Sequence, residues 1–288
     1  MVYLKGLDKL SEKLPAYPGK RIILLPLRGT GAMLSGYTFL ILLTIIPRLF
    51  SGITVLIVIE PFLPLVGGGF IAVAALWFIW GLWNKRDQMK EIHRELAYQK
   101  MITRGVTGVF LVPPLVLLAF TSIRSLPPLP PVNDLTIQWS RSLLPLMGIS
   151  PEIDVWIRLL LSGIFLLFGI LTIRSAVLTF GIDYMTVVYL YFPEESEIQE
   201  HEIYSVVRHP AYLGGVLLGI AGLLFRFSVY SIFSALLVYV VFRMIILREE
   251  RELVERFGEG FVEYKKRVPP LLVRPKKFRM YIKFLKKG

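Results

Sequence analysis

The chain has 288 residues, of which 55% are hydrophobic and 19% are charged, and its mean hydropathy is +0.61. Because an ordinary soluble domain is about 45–50% apolar and about 25% charged, this composition predicts an integral membrane protein. The absence of cysteine excludes thiol nucleophiles, structural disulfides and cysteine-ligated metals. The net charge of +12 is better explained by basic cytoplasmic loops against anionic lipid headgroups than by nucleic acid, which we do not expect as a partner.

The chain begins with a basic segment that we predict to be amphipathic. Leu4, Leu7, Leu10 and Leu14 share one face of a helix over residues 2–14, and charged residues occupy the other faces. This pattern is typical of helices that lie on a membrane surface, so we expect the leucines to face lipid.

Six apolar runs are each long enough to cross about 30 Å of hydrocarbon. They cover residues 32–49, 62–83, 106–123, 155–178, 210–226 and 228–247. Pro113 and Pro114 predict a kink in the third run, and residues 51–61 are either a re-entrant or interfacial piece or the start of the second span. The predicted fold class is all-α: a polytopic transmembrane helix bundle of about six spans, with a C-terminal membrane hairpin followed by a cytosolic helix.

The distribution of Lys and Arg predicts the orientation of these spans. With six spans, 28 of the 33 basic residues fall on one side, and the other side keeps Arg48, Arg124, Arg141, Arg158 and Arg226. The positive-inside rule then places both termini, and the charged motifs near the last two spans, on the cytoplasmic face. The external loop 124–154 is rich in proline and has no catalytic grouping, so we interpret it as an extended cap.

The first charged motif precedes the hairpin. Arg208 and His209 stand just before Pro210, a residue that suits the first turn of a transmembrane helix. The positive end of that helix dipole would favour an anionic group beside them. In the alternative interpretation, Arg208 is a snorkelling cation and His209 a capping residue.

The second charged motif follows the hairpin directly. It contains Glu249 and Glu250, an adjacent carboxylate pair that is costly beside a span unless it is solvated or matched to cations. Arg243, Arg248 and Arg251 could match the pair locally. The functional alternative is a bound cationic ligand, such as a sulfonium cofactor.

Both motifs belong to a longer pattern that covers about residues 200–275. Its members are Tyr204, Arg208-His209-Pro210, Tyr212, Gly214, Glu249-Glu250, Leu253, Phe257-Gly258, Tyr264, Arg267-Val268-Pro269 and Pro275. The pattern resembles the isoprenylcysteine carboxyl methyltransferase and phospholipid methyltransferase superfamily of membrane enzymes. The chain departs from it at Glu202, Ser196 and Phe261, where the family usually has glycine, histidine and tyrosine.

The resemblance implies a membrane methyltransferase that uses S-adenosylmethionine and a lipidic or isoprenoid acceptor. The implied cofactor contacts are His209, Tyr212, Glu249, Glu250, Tyr204 and, in place of the upstream histidine, His201. Arg208 and Arg267 are the implied catalytic residues, which would orient an acidic acceptor such as a prenylcysteine-like acid. A carboxylate acceptor needs only this orientation, whereas an amine must first be neutral and would give a glutamate the role of base.

We accordingly divide the chain into four parts. These are a basic amphipathic segment (1–31), a transmembrane region of unknown role (32–150), a methyltransferase-like membrane core (151–275) and a basic tail (276–288). Two other function classes stay open: an NADPH-dependent membrane reductase of the sterol type, and a non-catalytic membrane protein whose basic tail binds anionic lipid. The three histidines, His93, His201 and His209, lack the spacing of a metal site, and we expect no metal. The oligomeric state is left open.

Overall fold

The computed structural model describes residues 5–122 and 129–287, and within these ranges it is helical with no strand. The helices are α1 (Leu7–Glu12), α2 (Leu24–Leu49), α3 (Thr54–Ile59), α4 (Leu63–Asn84), α5 (Arg86–His93), α6 (Ala97–Phe110), α7 (Pro113–Thr121), α8 (Asp134–Ser140), α9 (Pro151–Phe180), α10 (Ile182–Met185), α11 (Val188–Tyr191), α12 (Pro210–Arg226), α13 (Val229–Phe257), α14 (Glu259–Arg267) and α15 (Phe278–Lys287). The predicted all-α fold class is confirmed.

Five helical stretches of the described chain are long and apolar enough to cross a membrane. They are Arg21–Leu49, Thr54–Asn84, Arg86–Thr121, Pro151–Phe180 and Val229–Phe257. The sixth predicted span is α12, an apolar helix of 17 residues and therefore about 25 Å long. It packs against α9 and α13, and it reverses into α13 through Phe227, which has a left-handed backbone. The C-terminal hairpin is thus formed by α12 and α13.

The predicted irregularities of the second and third spans have a structural basis. Residues 54–84 are helical from α3 through the turn Glu60–Phe62 into α4, so this stretch begins the second span and is not re-entrant. The third span breaks between Phe110 and Pro113, where proline removes a backbone donor and α7 begins anew.

The interpretation of the external loop as an extended cap is wrong over residues 134–147, which contain α8 and a 3-10 turn. The side chain of Asn133 caps α8 by accepting a hydrogen bond from Leu135 N at 2.8 Å. The buried carboxylate of Glu60 accepts the backbone N–H groups of Val132 and Asn133 at 3.0 and 2.8 Å. The proline content of the loop predicted irregular backbone, but it could not predict that the side chains of Glu60 and Asn133 accept these backbone hydrogen bonds. The part of the loop at 124–128 lies outside the described residues.

Within the described residues of the N-terminal segment, only α1 is helical and it ends at Glu12, before the predicted end. Leu10 and Leu14 are buried in the protein core and do not face lipid, while Leu4 lies outside the described residues. Ile182 N donates to the carbonyl of Lys5 at 2.8 Å, which joins this segment to the end of α9. An amphipathic pattern predicts only that one helix face is buried. Here that face is buried against protein and not against lipid.

The residues after α13 fold back over the first motif. The backbone N–H groups of Arg208 and His209 donate to the carbonyls of Pro269 and Pro270 at 2.9 and 3.1 Å. The predicted basic tail contains the ordered helix α15, whose Tyr281 is buried against α9. Both charged motifs are therefore held together at one end of the α12–α13 hairpin.

Candidate active site

The local sequence places the first motif at the mouth of the hairpin. Pro210 occupies the first position of α12, where its missing N–H costs no helical hydrogen bond. His209 precedes it in a non-helical conformation, and the side chains of Arg208 and His209 are 6% and 7% exposed. The uninterrupted helix α13 carries Glu249 and Glu250 back to the same level.

Arg208 and Glu250 form a buried ion pair that joins the two motifs. Arg208 Nε and Nη2 both donate to Glu250 Oε1, at 2.9 and 2.5 Å. Arg208 Nη1 donates to the carbonyls of Lys265 and Val268. Four of the five guanidinium N–H groups are therefore engaged inside the protein, which makes Arg208 a clasp between α12, α13 and the end of α14.

The remaining capacity of Glu250 is also taken by protein groups. Lys265 Nζ lies 3.0 Å from Glu250 Oε2, and His209 Nε2 lies 3.1 Å from Glu250 Oε1. The two cations and the ring nitrogen offset the desolvation cost of burying this carboxylate. Glu250 thus fixes the His209 ring and is itself held on every side.

Glu249 differs from its neighbour because its contacts are the hydroxyls of Tyr189 and Tyr212 and the ring of His209, with no Lys or Arg among the described residues. The hydroxyl of Tyr189 donates to Glu249 Oε1 at 2.6 Å. Glu249 Oε2 is buried and accepts no hydrogen bond from the described residues, and His209 Nδ1 lies 3.7 Å from it. A buried carboxylate oxygen without a donor is expensive, so this atom points to a ligand with a positive charge or an N–H group.

Beside Glu249 lies a cavity with about 790 Å³ of empty space, its open mouth included. It is lined by Phe180, Met185, Val187, Tyr189, Ser196, Glu197, Ile198, Gln199, Tyr204, Arg208, His209, Pro210, Ala211, Tyr212, Glu249, Leu253, Phe257, Phe261 and Tyr264. Most of this lining is apolar or aromatic. The rings of His209 and Tyr212 stack with centroids 5.6 Å apart, and Phe242 supports Tyr212 from its other side at 5.4 Å.

Two further tyrosines stabilise the wall of the cavity. The hydroxyl of Tyr264 donates to the carbonyl of Tyr204 at 2.7 Å and links α14 to the first motif. Burial, together with the charge of Glu249, raises the pKa of Tyr204, and burial raises the pKa of Tyr264. Both hydroxyls therefore stay protonated at neutral pH and add no negative charge to the cavity.

The structure brings together six of the eight site residues that the sequence singled out. Five line the cavity (Tyr204, Arg208, His209, Tyr212 and Glu249), and Glu250 stands behind Arg208 and His209. The other two lie apart: His201 is exposed and outside the lining, and Arg267 pairs with Glu200 at 2.7 Å with its side chain 62% exposed.

Sequence reasoning missed the partners that orient the glutamates. Tyr189 lies in an aromatic segment about 60 residues before Glu249, and no spacing rule connects the two positions. Lys265 follows Tyr264 within the recognised pattern, but it stands among other basic residues, so the sequence did not single it out as a partner of Glu250. Among the described residues, no group of three or more His, Asp or Glu side chains is placed to hold a metal ion.

Comparison with known proteins gives a single finding. Residues 157–260 match the family model described as phospholipid methyltransferase. The match covers most of α9, the segment that carries the first motif, the whole hairpin and the Phe257-Gly258 step, so it contains nearly all of the cavity lining. No curated protein and no solved structure matches the chain significantly.

Proposed function

We propose that this chain, which over residues 157–260 belongs to the superfamily of integral membrane methyltransferases, moves a methyl group from S-adenosylmethionine to an acceptor carried by a lipid. The family match supports a membrane methyltransferase that acts on lipid-type substrates. The identity of the donor, the roles of the residues and the cytoplasmic position of the site are our proposals.

The unpartnered Oε2 atom of Glu249 is the observation that carries the choice of donor. S-adenosylmethionine supplies a methyl group on a positively charged sulfonium, and it also bears an ammonium group. Either cation would match a buried carboxylate oxygen that lacks a donor. The cavity is also lined by the aromatic rings of Tyr204 and Phe257, which could contact a cation or an adenine ring.

The residues around Glu249 Oε2 would act mainly by aligning the methyl donor with the acceptor. Methyl transfer is an in-line displacement, so the protein has to hold donor and acceptor close together and exclude water. Glu249 and Tyr189 would bind the cationic donor, and His209 would form the wall that Glu250 keeps in place. Arg208 is better suited to positioning than to direct contact with substrate, because its N–H groups are engaged by Glu250 and backbone carbonyls.

The engagement of Arg208 also bears on the acceptor. A prenylcysteine-like carboxylate would need a cation to orient it, and Arg208 is committed elsewhere while Arg267 lies at the surface. A phospholipid amine needs a base instead, and the cavity offers the carboxylate of Glu249 or the ring of His209. This arrangement favours an amine acceptor over the carboxylate that the sequence resemblance put first.

Calorimetry on the purified full chain in detergent tests the donor. S-adenosylhomocysteine, which keeps the ammonium group, and NADPH are titrated into the wild type, Glu249→Gln and the control Glu255→Gln, an exposed position on the same helix. We expect saturable binding of S-adenosylhomocysteine that is lost in Glu249→Gln and kept in the control. Binding of NADPH alone would replace the proposal with the reductase. Binding of neither ligand would also overturn it.

Transfer of a labelled methyl group then separates the acceptors. The wild type is incubated with labelled donor and either phosphatidylethanolamine or a farnesylcysteine analogue. Label in the amine lipid, stable to mild base, is the expected product, whereas a base-labile methyl ester would restore the carboxylate.

A further inference from the structure

Helix α15 has two faces of opposite character. Tyr281 and Leu285 are 3% and 4% exposed and pack with the first motif and α9. Arg279, Lys283 and Lys286 recur at intervals of four and three residues, so they share the opposite face, where all three are exposed. The apolar face is thus already covered by protein, and the basic face is the one that a partner can reach.

The contacts of α15 fix its level along α9. The ring of Phe278 lies 6.4 Å from that of Phe168, the hydroxyls of Tyr281 and Thr172 are hydrogen-bonded, and Ser175 Oγ donates to the carbonyl of Phe284 at 3.4 Å. The two helices therefore run side by side over the last turns of α9. Since the contacting residues of α9 run from Phe168 to Ser175, this shared stretch is about 10 Å long.

The surface of α9 at the same level is apolar and open. Leu167, Ile170 and Leu178 are 57%, 52% and 44% exposed, as expected for side chains that face lipid. The basic face of α15 therefore stands beside a lipid-facing surface near its end, where hydrocarbon gives way to headgroups. The sequence contains no Asp or Glu after Glu263, so nothing in this part of the chain offsets these cations.

We propose that Arg279, Lys283 and Lys286 bind the anionic headgroups of phospholipids in the adjacent leaflet. Cations next to a membrane surface favour anionic lipids, and their long stems let the charged ends reach the headgroup layer. The bound lipid would also support the candidate active site. Lys277 Nζ donates to the carbonyl of Ser205 at 2.7 Å, which ties α15 to the segment just before Arg208.

The absence of cysteine permits a direct test. Met280, 38% exposed, is replaced by cysteine and labelled with an environment-sensitive fluorophore in the full chain. Short-chain phosphatidylglycerol is titrated into the protein in a neutral detergent, with short-chain phosphatidylcholine and inorganic phosphate as parallel arms. The test variant carries Arg279→Gln, Lys283→Gln and Lys286→Gln. The control carries Lys9→Gln, Arg28→Gln and Lys100→Gln, which remove the same charge from exposed positions elsewhere.

We expect the emission to shift with phosphatidylglycerol but not with phosphatidylcholine or inorganic phosphate. The affinity for phosphatidylglycerol should fall about fivefold for each cation removed from α15 and should be unchanged in the control. The shift should also shrink with added salt, because exposed charges are screened. An equal loss in the control, or an equal response to phosphatidylcholine or to free phosphate, would overturn the proposal. Thermal unfolding of the test variant should match the wild type, since the three side chains are exposed.

Discussion

Two buried arginine–glutamate pairs hold the two ends of this bundle. Arg48 Nε donates to Glu60 Oε1 and Arg208 Nε donates to Glu250 Oε1, each at 2.9 Å. Glu60 is closed in by residues 132–136, whose backbone N–H groups and Thr136 hydroxyl occupy its second oxygen. Glu250 has a second carboxylate beside it, and that carboxylate keeps a vacant oxygen at a cavity. Because Arg48 Nη2 also lacks a hydrogen-bond partner, an unpartnered atom signals a site only where it lies beside a cavity, as Glu249 Oε2 does.

Removal of either arginine should give the largest effect and should separate stability from binding. Loss of one partner of a buried pair costs about 3–5 kcal/mol, because the other charge stays buried. We expect both Arg48→Ala and Arg208→Ala to lower the thermal unfolding temperature in detergent strongly. At a temperature where both remain folded, only Arg208→Ala should weaken S-adenosylhomocysteine binding. Weakened binding in Arg48→Ala would contradict the division between the two ends.

Neutralisation of the carboxylates should sharpen the same contrast. Glu249→Gln removes a charge-assisted contact worth about 1.5–3 kcal/mol, so donor affinity should fall by about one to two orders of magnitude. Its stability should stay near that of the wild type, because the amide oxygen of glutamine can still accept the hydrogen bond from Tyr189. Glu60→Gln should instead lower stability and leave affinity unchanged. Calorimetry and thermal unfolding on the same preparations measure both quantities.

A smaller effect should follow from a pair of tyrosine hydroxyls. Tyr189 donates to Glu249 at 2.6 Å, and Tyr230 donates to the carbonyl of Pro61 at 2.9 Å beside the other pair. One such hydrogen bond contributes about 0.5–1.5 kcal/mol. Tyr189→Phe should therefore weaken donor binding by up to about tenfold, while Tyr230→Phe should reduce only stability. An unchanged affinity in Tyr189→Phe would show that the Glu249 carboxylate is oriented without this hydroxyl.

The smallest effect concerns pH and the docking of α15. Hydrogen bonds from Lys287 and Thr179 lower the pKa of Glu202 below its usual 4.5. A carboxyl with a lowered pKa in the folded state stabilises the fold above its unfolded pKa and loses this contribution as the pH falls. The protection of α15 amides, measured as exchange relative to the intrinsic rate at each pH, should therefore fall slightly below about pH 4.5. Glu202→Gln should abolish that pH dependence, and salt should reduce it because the pair is exposed.

The sequence was most informative where one rule determined the outcome. Length and hydropathy predicted the spans, and the position of Pro210 predicted the start of α12 with Arg208 and His209 at its mouth. The covering of α1 was not predictable, because Leu10 and Leu14 would look the same against lipid or protein. The sequence predicted an extended loop over residues 124–154 but missed α8 and its contacts with Glu60, because Glu60 appeared only as a polar interruption of an apolar run.

The candidate site was predictable in membership but not in arrangement. Adjacent glutamates after a span indicate a need for cations, but they do not say which glutamate is satisfied within the protein. That distinction depends on Tyr189, Lys265 and Arg208, which reach α13 from three different parts of the chain. Contacts across such separations leave no periodic trace in a single sequence.

The backbone contacts between Arg208 and Pro269, and between His209 and Pro270, have a consequence for biosynthesis. Their carbonyl acceptors are made about 60 residues after the donors they receive. A nascent chain can insert the α12–α13 hairpin into the membrane while the first motif still lacks the segment around residues 269–270 that covers it. The cavity can close only after the ribosome has passed residue 270, so premature termination before that point would leave an inserted hairpin with an open, unassembled mouth.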